Sequence, residues 1–180
     1  MANRVLPALC LRGFVVPVTL YLNPDGVLHP RPVTFESGRT PHLRSPGHRL
    51  FENAERLEEL LLPYPDTRIV LHSWWPFFIG YQHAVQHLPP ALRARVVGST
   101  LPGNRLLRFH LKNSSVRREW LRCDLRRRSP SAPIVLDSDW NQVLPETEDV
   151  SLIATSEEGL TEPQVYAALV RLLRTVGIAG

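Results

Sequence analysis

Three apolar runs of this chain finish in polar groups. VPVTLYL (16–22) leads into Asn23-Pro24-Asp25-Gly26, TRIVLH (67–72) into Ser73-Trp74-Trp75, and APIVLD (132–137) closes on Asp137 and continues as Ser138-Asp139-Trp140. In open α/β sheets ligands bind beyond the carboxyl ends of the strands, so carboxyls, an amide and a hydroxyl at these positions would meet at one edge. Each piece alone has a plainer use: Asp25-Gly26 is a strong turn signal, and Ser73 serves equally well as a helix cap. Two other chemistries fail on their surroundings. His83 and His87 have the four-residue spacing of a zinc pair, but Ala84 stands where the HExxH glutamate belongs and no third ligand is evident. Ser73 beside His72 lacks the G-x-S-x-G elbow that would expose a nucleophilic serine.

The elements that must position these residues are legible from periodicity. The three runs, with DVSLIAT (149–155), read as buried strands, and RARVVGS (93–99) as a fifth. Phe51, Ala54, Leu57, Leu60 and Leu61 recur at helical spacing in a segment ended by Pro63. Further helices are expected over Pro76 to Leu88, over Ser114 to Arg127 with Ser114 or Ser115 as cap, and after Thr161-Glu162-Pro163. In the last of these, Val165, Leu169, Leu172 and Leu173 line one face. Strands alternating with helices imply a mostly parallel sheet covered on both sides. Pro and Gly crowd residues 29–48, which read as an irregular excursion over the carboxyl edge. Core packing against that excursion is the default for Trp74, Trp75, Phe77 and Phe78, with a substrate-stacking or partner-binding surface as the alternative because they follow the strand end at this edge.

The totals set bounds. At 180 residues, 43% hydrophobic and 21% charged, the chain is expected to fold as a single globular domain. Residues 1–14 read as an N-terminal extension. Cys10 and Cys123 match no metal or disulfide spacing, which fits a cytoplasmic setting. Arg12 interrupts the early apolar run, no cleavage pattern follows, and no uncharged stretch reaches the ~18 residues of a membrane span, so neither a signal peptide nor a membrane role is expected. Between Ala91 and Pro130, eleven basic residues face only Glu119 and Asp124. This Arg-rich stretch could attract the phosphates of a nucleic acid. However, twenty of the twenty-one basic residues are Arg, as a coding bias would also produce, and no recognition motif accompanies them.

Taken in order, NPDGVLHP, the strand ending HSWW, LDSDW and the late SEEGLT segment resemble the haloacid dehalogenase (HAD) superfamily. They come closest to the small HAD domains associated with Swiss-Army-knife RNA repair proteins, and the resemblance spans most of the chain. It implies a HAD-like (Rossmannoid) three-layer α/β sandwich with a mostly parallel sheet and a minimal cap, residues 29–48 and 99–113 being the loop or cap insertions. It also implies Mg²⁺-dependent phosphomonoester chemistry. There an aspartate attacks phosphorus and a second carboxyl two residues on moves the proton. Hard oxygen ligands hold the cation, while a hydroxyl and a basic side chain steady the phosphoryl group.

Carried onto this sequence, the resemblance makes Asp25 the acid/base with its carbonyl on the metal, and Ser73 the phosphoryl donor. Asp137 becomes a metal ligand supported by Asp139. Arg117 or Arg118, slightly ahead of Lys112, fills the cationic position. Asn23 departs from the pattern at the nucleophile: its amide oxygen is a poor nucleophile, and Mg²⁺ loses one charged ligand. Three explanations of Asn23 stay open, a natural loss of catalysis, an engineered Asp→Asn exchange and unusual retained chemistry; Pro24, a second change inside the motif that fixes φ and removes a backbone donor, favours the first. The expectation is therefore an impaired or inactive phosphatase, with a non-catalytic module for a phosphorylated ligand, nucleic acid or protein partner as the competing class. Short caps leave the site open and favour bulky phosphorylated partners.

Overall fold

The computed structural model describes residues 16–35, 40–103, 117–155 and 157–177. The N-terminal extension, Lys112, the proposed caps Ser114 and Ser115, and most of the 99–113 insertion lie outside the described residues. Five parallel strands form the main sheet: β1 (Val18–Leu22), β4 (Arg68–Leu71), β5 (Val96–Ser99), β6 (Ala132–Asp137) and β7 (Ser151–Ile153), in the order β5-β4-β1-β6-β7. The chain builds outward from β1 through β4 to β5, then returns to the other side of β1 for β6 and β7. The crevice beside β1 is thus the topological switch point, where open α/β sheets bind ligands.

Alternation along the strands divides the core into two layers. Leu20, Leu22, Ile69, Leu71, Ile134 and Leu136 face one side. There they pack on α1 (Ala54–Leu61) through Leu57 and Leu61, and on α6 (Pro163–Gly177) through Leu169 and Leu173. Tyr21, Val70 and Val135 face the other side, under Leu121 and Leu125 of α5 (Arg117–Arg128). This is the three-layer α/β arrangement expected from the sequence, and all five strands lie within the runs read for them. No helix among the described residues is long and apolar enough to cross a membrane.

Two elements differ from the sequence reading. The helix expected over Pro76 to Leu88 is broken into α2 (Trp75–Phe78) and α3 (Tyr81–His87), with α4 (Pro90–Arg93) following. Gly80 sits at φ 84°, a left-handed conformation that interrupts helical bonding and resets the chain direction. The 29–48 excursion is not wholly irregular. It contains the antiparallel pair β2 (Val33–Phe35) and β3 (Pro41–Leu43), whose Val33 and Phe35 pack on the main core. Phe35 meets Trp75 edge-on at 5.5 Å and stacks on Phe78 at 5.0 Å, so the aromatic cluster and the excursion do pack together.

Candidate functional site

The loop after β1 is shaped by its own residues. Asn23 extends the ladder by one bond to the Leu136 carbonyl, and Pro24, with no N–H, can carry it no further. The Pro24 carbonyl then accepts from Leu28, Gly26 takes φ 76°, and its N–H returns to the His29 carbonyl. A side chain at Gly26 would meet the Ser138 Cβ at 2.6 Å, so glycine is what lets this loop lie against the end of β6. On the far side, Leu160 N–H donates to the Val27 carbonyl at 3.0 Å, and Asn53 Nδ2 ties the Glu158 carbonyl to the start of α1. The SEEGLT segment therefore braces the loop.

Asn23, Asp25, Ser73 and Asp137 all arrive at this one edge. Asp137, fully buried, is forked by Arg117: NH1 donates to Oδ2 at 2.8 Å and NH2 to Oδ1 at 3.2 Å. Oδ1 also accepts from the backbone N–H groups of Ser138 and Asp139. Arg117 NH1 reaches the His72 carbonyl as well, which pins the guanidinium between two strand ends. Between the two basic candidates on α5, the fold gives Arg117 this position. No ion pair or hydrogen bond joins Arg118 to these residues.

Asn23 is buried, and its amide nitrogen donates to Asp137 Oδ1 at 3.0 Å and to the Asp25 carbonyl at 3.1 Å, with Ser138 Oγ at 3.5 Å. Turning the amide over would set its oxygen against three other oxygens, so the network fixes its orientation. Those acceptors include Asp137 and the Asp25 carbonyl, which the HAD resemblance assigns to the metal. They converge on an N–H₂ group that has no lone pair to offer a cation, and Asp137 is already neutralised by Arg117. The donor set as arranged does not fit Mg²⁺. Nor, among the described residues, do three or more His, Cys, Asp or Glu side chains gather around a point that could hold a metal.

The Asp25 carboxylate is held on one oxygen. Trp75 Nε1–H donates to Oδ1 at 2.7 Å, and His29 Nε2 lies 3.1 Å from the same atom. Phe51, at φ 61°, donates its backbone N–H to His29 Nδ1. Because Nδ1 is thereby an acceptor, the ring carries its proton on Nε2 and donates to Asp25. Sequence spacing does not mark His29 for this site, and it places Trp75 in the aromatic cluster at this edge without assigning it a bond to Asp25. The available signal was a histidine closing a Asp-Gly turn four residues after the acid.

Asp139 does not turn toward Asp137. It caps the 3₁₀ turn Trp140–Gln142, accepting from Asn141 N and from Gln142 Nε2. Partial burial pushes its carboxyl up, but these hydrogen bonds and Arg117 outweigh that and leave it below the ordinary range. Ser73 is buried, and its Oγ accepts from Trp75 N at 3.0 Å at the start of α2; among the described residues its hydroxyl donates no hydrogen bond. His72 is fully buried. Burial, reinforced by the Arg117 charge, holds its pKa well below the usual imidazole value. Its Nδ1 meets Thr100 Oγ1 at 3.1 Å, whereas Nε2, 3.8 Å from Asp137 Oδ2, has no hydrogen-bond partner among the described residues.

A family model described as the HAD domain in Swiss Army Knife RNA repair proteins matches residues 19–165. No curated protein and no solved structure matches the chain.

Proposed function

Because the chain belongs to the family of HAD domains of Swiss Army Knife RNA repair proteins, we propose that it is a phosphatase-like domain whose hydrolysis of phosphomonoesters is impaired at Asn23. HAD domains generally use Mg²⁺. In this reading the cation binds weakly, and turnover through an aspartyl phosphate is lost with the nucleophilic carboxylate. The observation that carries the reading is the bond from Asn23 Nδ2 to Asp137 Oδ1. It commits the nucleophile position to an internal hydrogen bond. The other oxygens of the pocket are similarly engaged, by Arg117 at Asp137 and by Trp75 and His29 at Asp25.

A second reading, a module that binds a phosphorylated ligand without turnover, is favoured by Ser73. Its hydroxyl donates no hydrogen bond among the described residues and could serve a phosphoryl oxygen once the buried pocket admits one, and no carboxylate at position 23 repels the dianion.

Phosphate release from a panel of generic phosphomonoesters with Mg²⁺, comparing the chain with Asn23→Asp, tests the proposal. The unmodified chain is expected to stay at background, and strong turnover by it would overturn the reading. A gain in the aspartate variant would mark Asn23 as the sole lesion. No gain would assign part of the loss to Pro24 and to the Arg117 lock on Asp137.

A further inference from the structure

At the opposite edge of the sheet, Thr19 of β1 and Arg68 of β4 are register neighbours and project to the face that α5 covers. Helix α5 ends at Arg128, and Ser129, at φ 44°, turns the chain back toward β6. Beyond the helix end lies a cavity of about 350 Å³, lined by Thr19, Arg68, Arg128 and Ser131 and walled by Pro17 and Pro130. Among the described residues, no carboxylate lines it.

Its arginines are placed differently. Arg128 is fixed: Nε donates to Asp124 Oδ2 at 2.7 Å, and Asp124 is buried. The guanidinium lies so close over β5 that a Cβ at Gly98 would meet it and push it aside. Asp124 is shared with Arg127 and cannot balance the whole cluster. Arg68 makes no ion pair among the described residues. The hydroxyl of Ser129, also in the lining, is spent on the Arg126 carbonyl, whereas among the described residues Thr19 and Ser131 make no side-chain hydrogen bond. Two guanidiniums facing one cavity repel each other unless an anion lies between them. The carbonyl end of α5 contributes only about half a negative charge, less than the two full positive charges it faces.

We propose that this cavity is an oxyanion site that takes a phosphate group, bound by Arg68 and by the pre-set fork of Arg128, with Thr19 and Ser131 as hydroxyl donors. Planar guanidinium forks suit phosphate oxygens, and a fork already fixed by Asp124 loses little freedom on binding. The site is separate from the Asn23 edge and does not depend on whether that edge turns over substrate.

Amide NMR of the full chain tests it, with inorganic phosphate titrated at constant ionic strength against chloride. The amides of Thr19, Gly98, Ser129 and Ser131 should shift saturably. Arg68→Ala should weaken the midpoint about tenfold, the loss of one charge-assisted donor. Gly98→Ala, which displaces the Arg128 guanidinium without touching Arg68, should weaken it similarly. Linear shifts matching chloride, shifts confined to the Asn23 and Ser73 edge, or both variants binding like the parent would overturn the site. A short single-stranded oligonucleotide distinguishes the source of the phosphate. The same amides moving at lower concentration assign a nucleic-acid backbone, and movement with inorganic phosphate alone assigns the free ion.

Discussion

Asp137 accepts five hydrogen bonds among the described residues and balances its charge against a single buried arginine. Removing one member of such a pair strands the other in the interior, which typically costs 3–5 kcal/mol. Arg117→Met should therefore lower unfolding stability by about that amount in urea titrations, and Arg117→Met with Asp137→Asn should recover most of it. A loss below about 1 kcal/mol in the single variant would mean that the fork contributes little. His72 gives a second prediction here. Its pKa is depressed in the folded state by burial and by Arg117, so the unfolded chain binds more protons as pH falls through the unfolded value of about 6.5. Its contribution is present above that pH and lost below it, with a slope approaching ~1.4 kcal/mol per pH unit. Denaturation followed from pH 8 down to 5 should show this slope below about pH 6.5 and little of it above, and His72→Gln should flatten the lower limb even if its overall stability is lower. The run-final positions made Asn23, Asp25, Ser73 and Asp137 legible in the sequence. The basic pair before Glu119 made Arg117 legible as a cation. That its partner would be Asp137, or that Trp75 would bond to Asp25 fifty residues away, depends on where two loops fold back, and no local spacing encodes it.

Among the elements, the strands were readable because a central parallel strand is apolar on both faces, and β1, β4 and β6 are buried almost throughout. Strands β2 and β3 were not, since three residues are too few for an alternation to register. Helical spacing likewise continued through Gly80, because periodicity reports which side chains are apolar and not the sign of φ. The same blindness hid the role of Gly159. At φ 56°, a Cβ there would lie 2.5 Å from the Val27 carbonyl, so the turn after β7 can brace the Asn23 loop only with glycine. Gly47, at φ 83° with open space around it, isolates the conformational cost alone. Gly47→Ala should cost about 1–2 kcal/mol. Gly159→Ala should cost clearly more, because the steric conflict is with backbone that cannot swing aside. Equal thermal destabilisation of the two variants would show that the brace yields easily.

For the whole molecule, much of the positive charge in 91–130 serves the fold. Arg95 donates to the Leu61, Tyr64 and Pro65 carbonyls at the end of α1, Arg122 pairs with Glu119 and Glu146, and Arg127 and Arg128 share Asp124. Arg117 does the same for the Asn23 edge, where its charge balances Asp137 and the Asn23 amide donates to the same carboxylate. Folding should then be uncoupled from Mg²⁺. A ligand that binds only the folded state at 100 times its Kd adds ~2.7 kcal/mol. For a domain of this size each kcal/mol raises Tm by about 2–4 °C. A Mg²⁺ site of ~0.1 mM affinity would therefore raise Tm by roughly 5–10 °C in ~10 mM Mg²⁺. The expected change for this chain is below ~1 °C, with Mg²⁺ or with EDTA, because no donor set is waiting to be completed. Asn23→Asp places a second carboxylate beside Asp137 and should melt lower without the cation and recover when Mg²⁺ is added. A rise of several degrees in the unmodified chain would mean that the Asn23 amide gives way to the ion, and with it the internal neutralisation inferred for this site would fail.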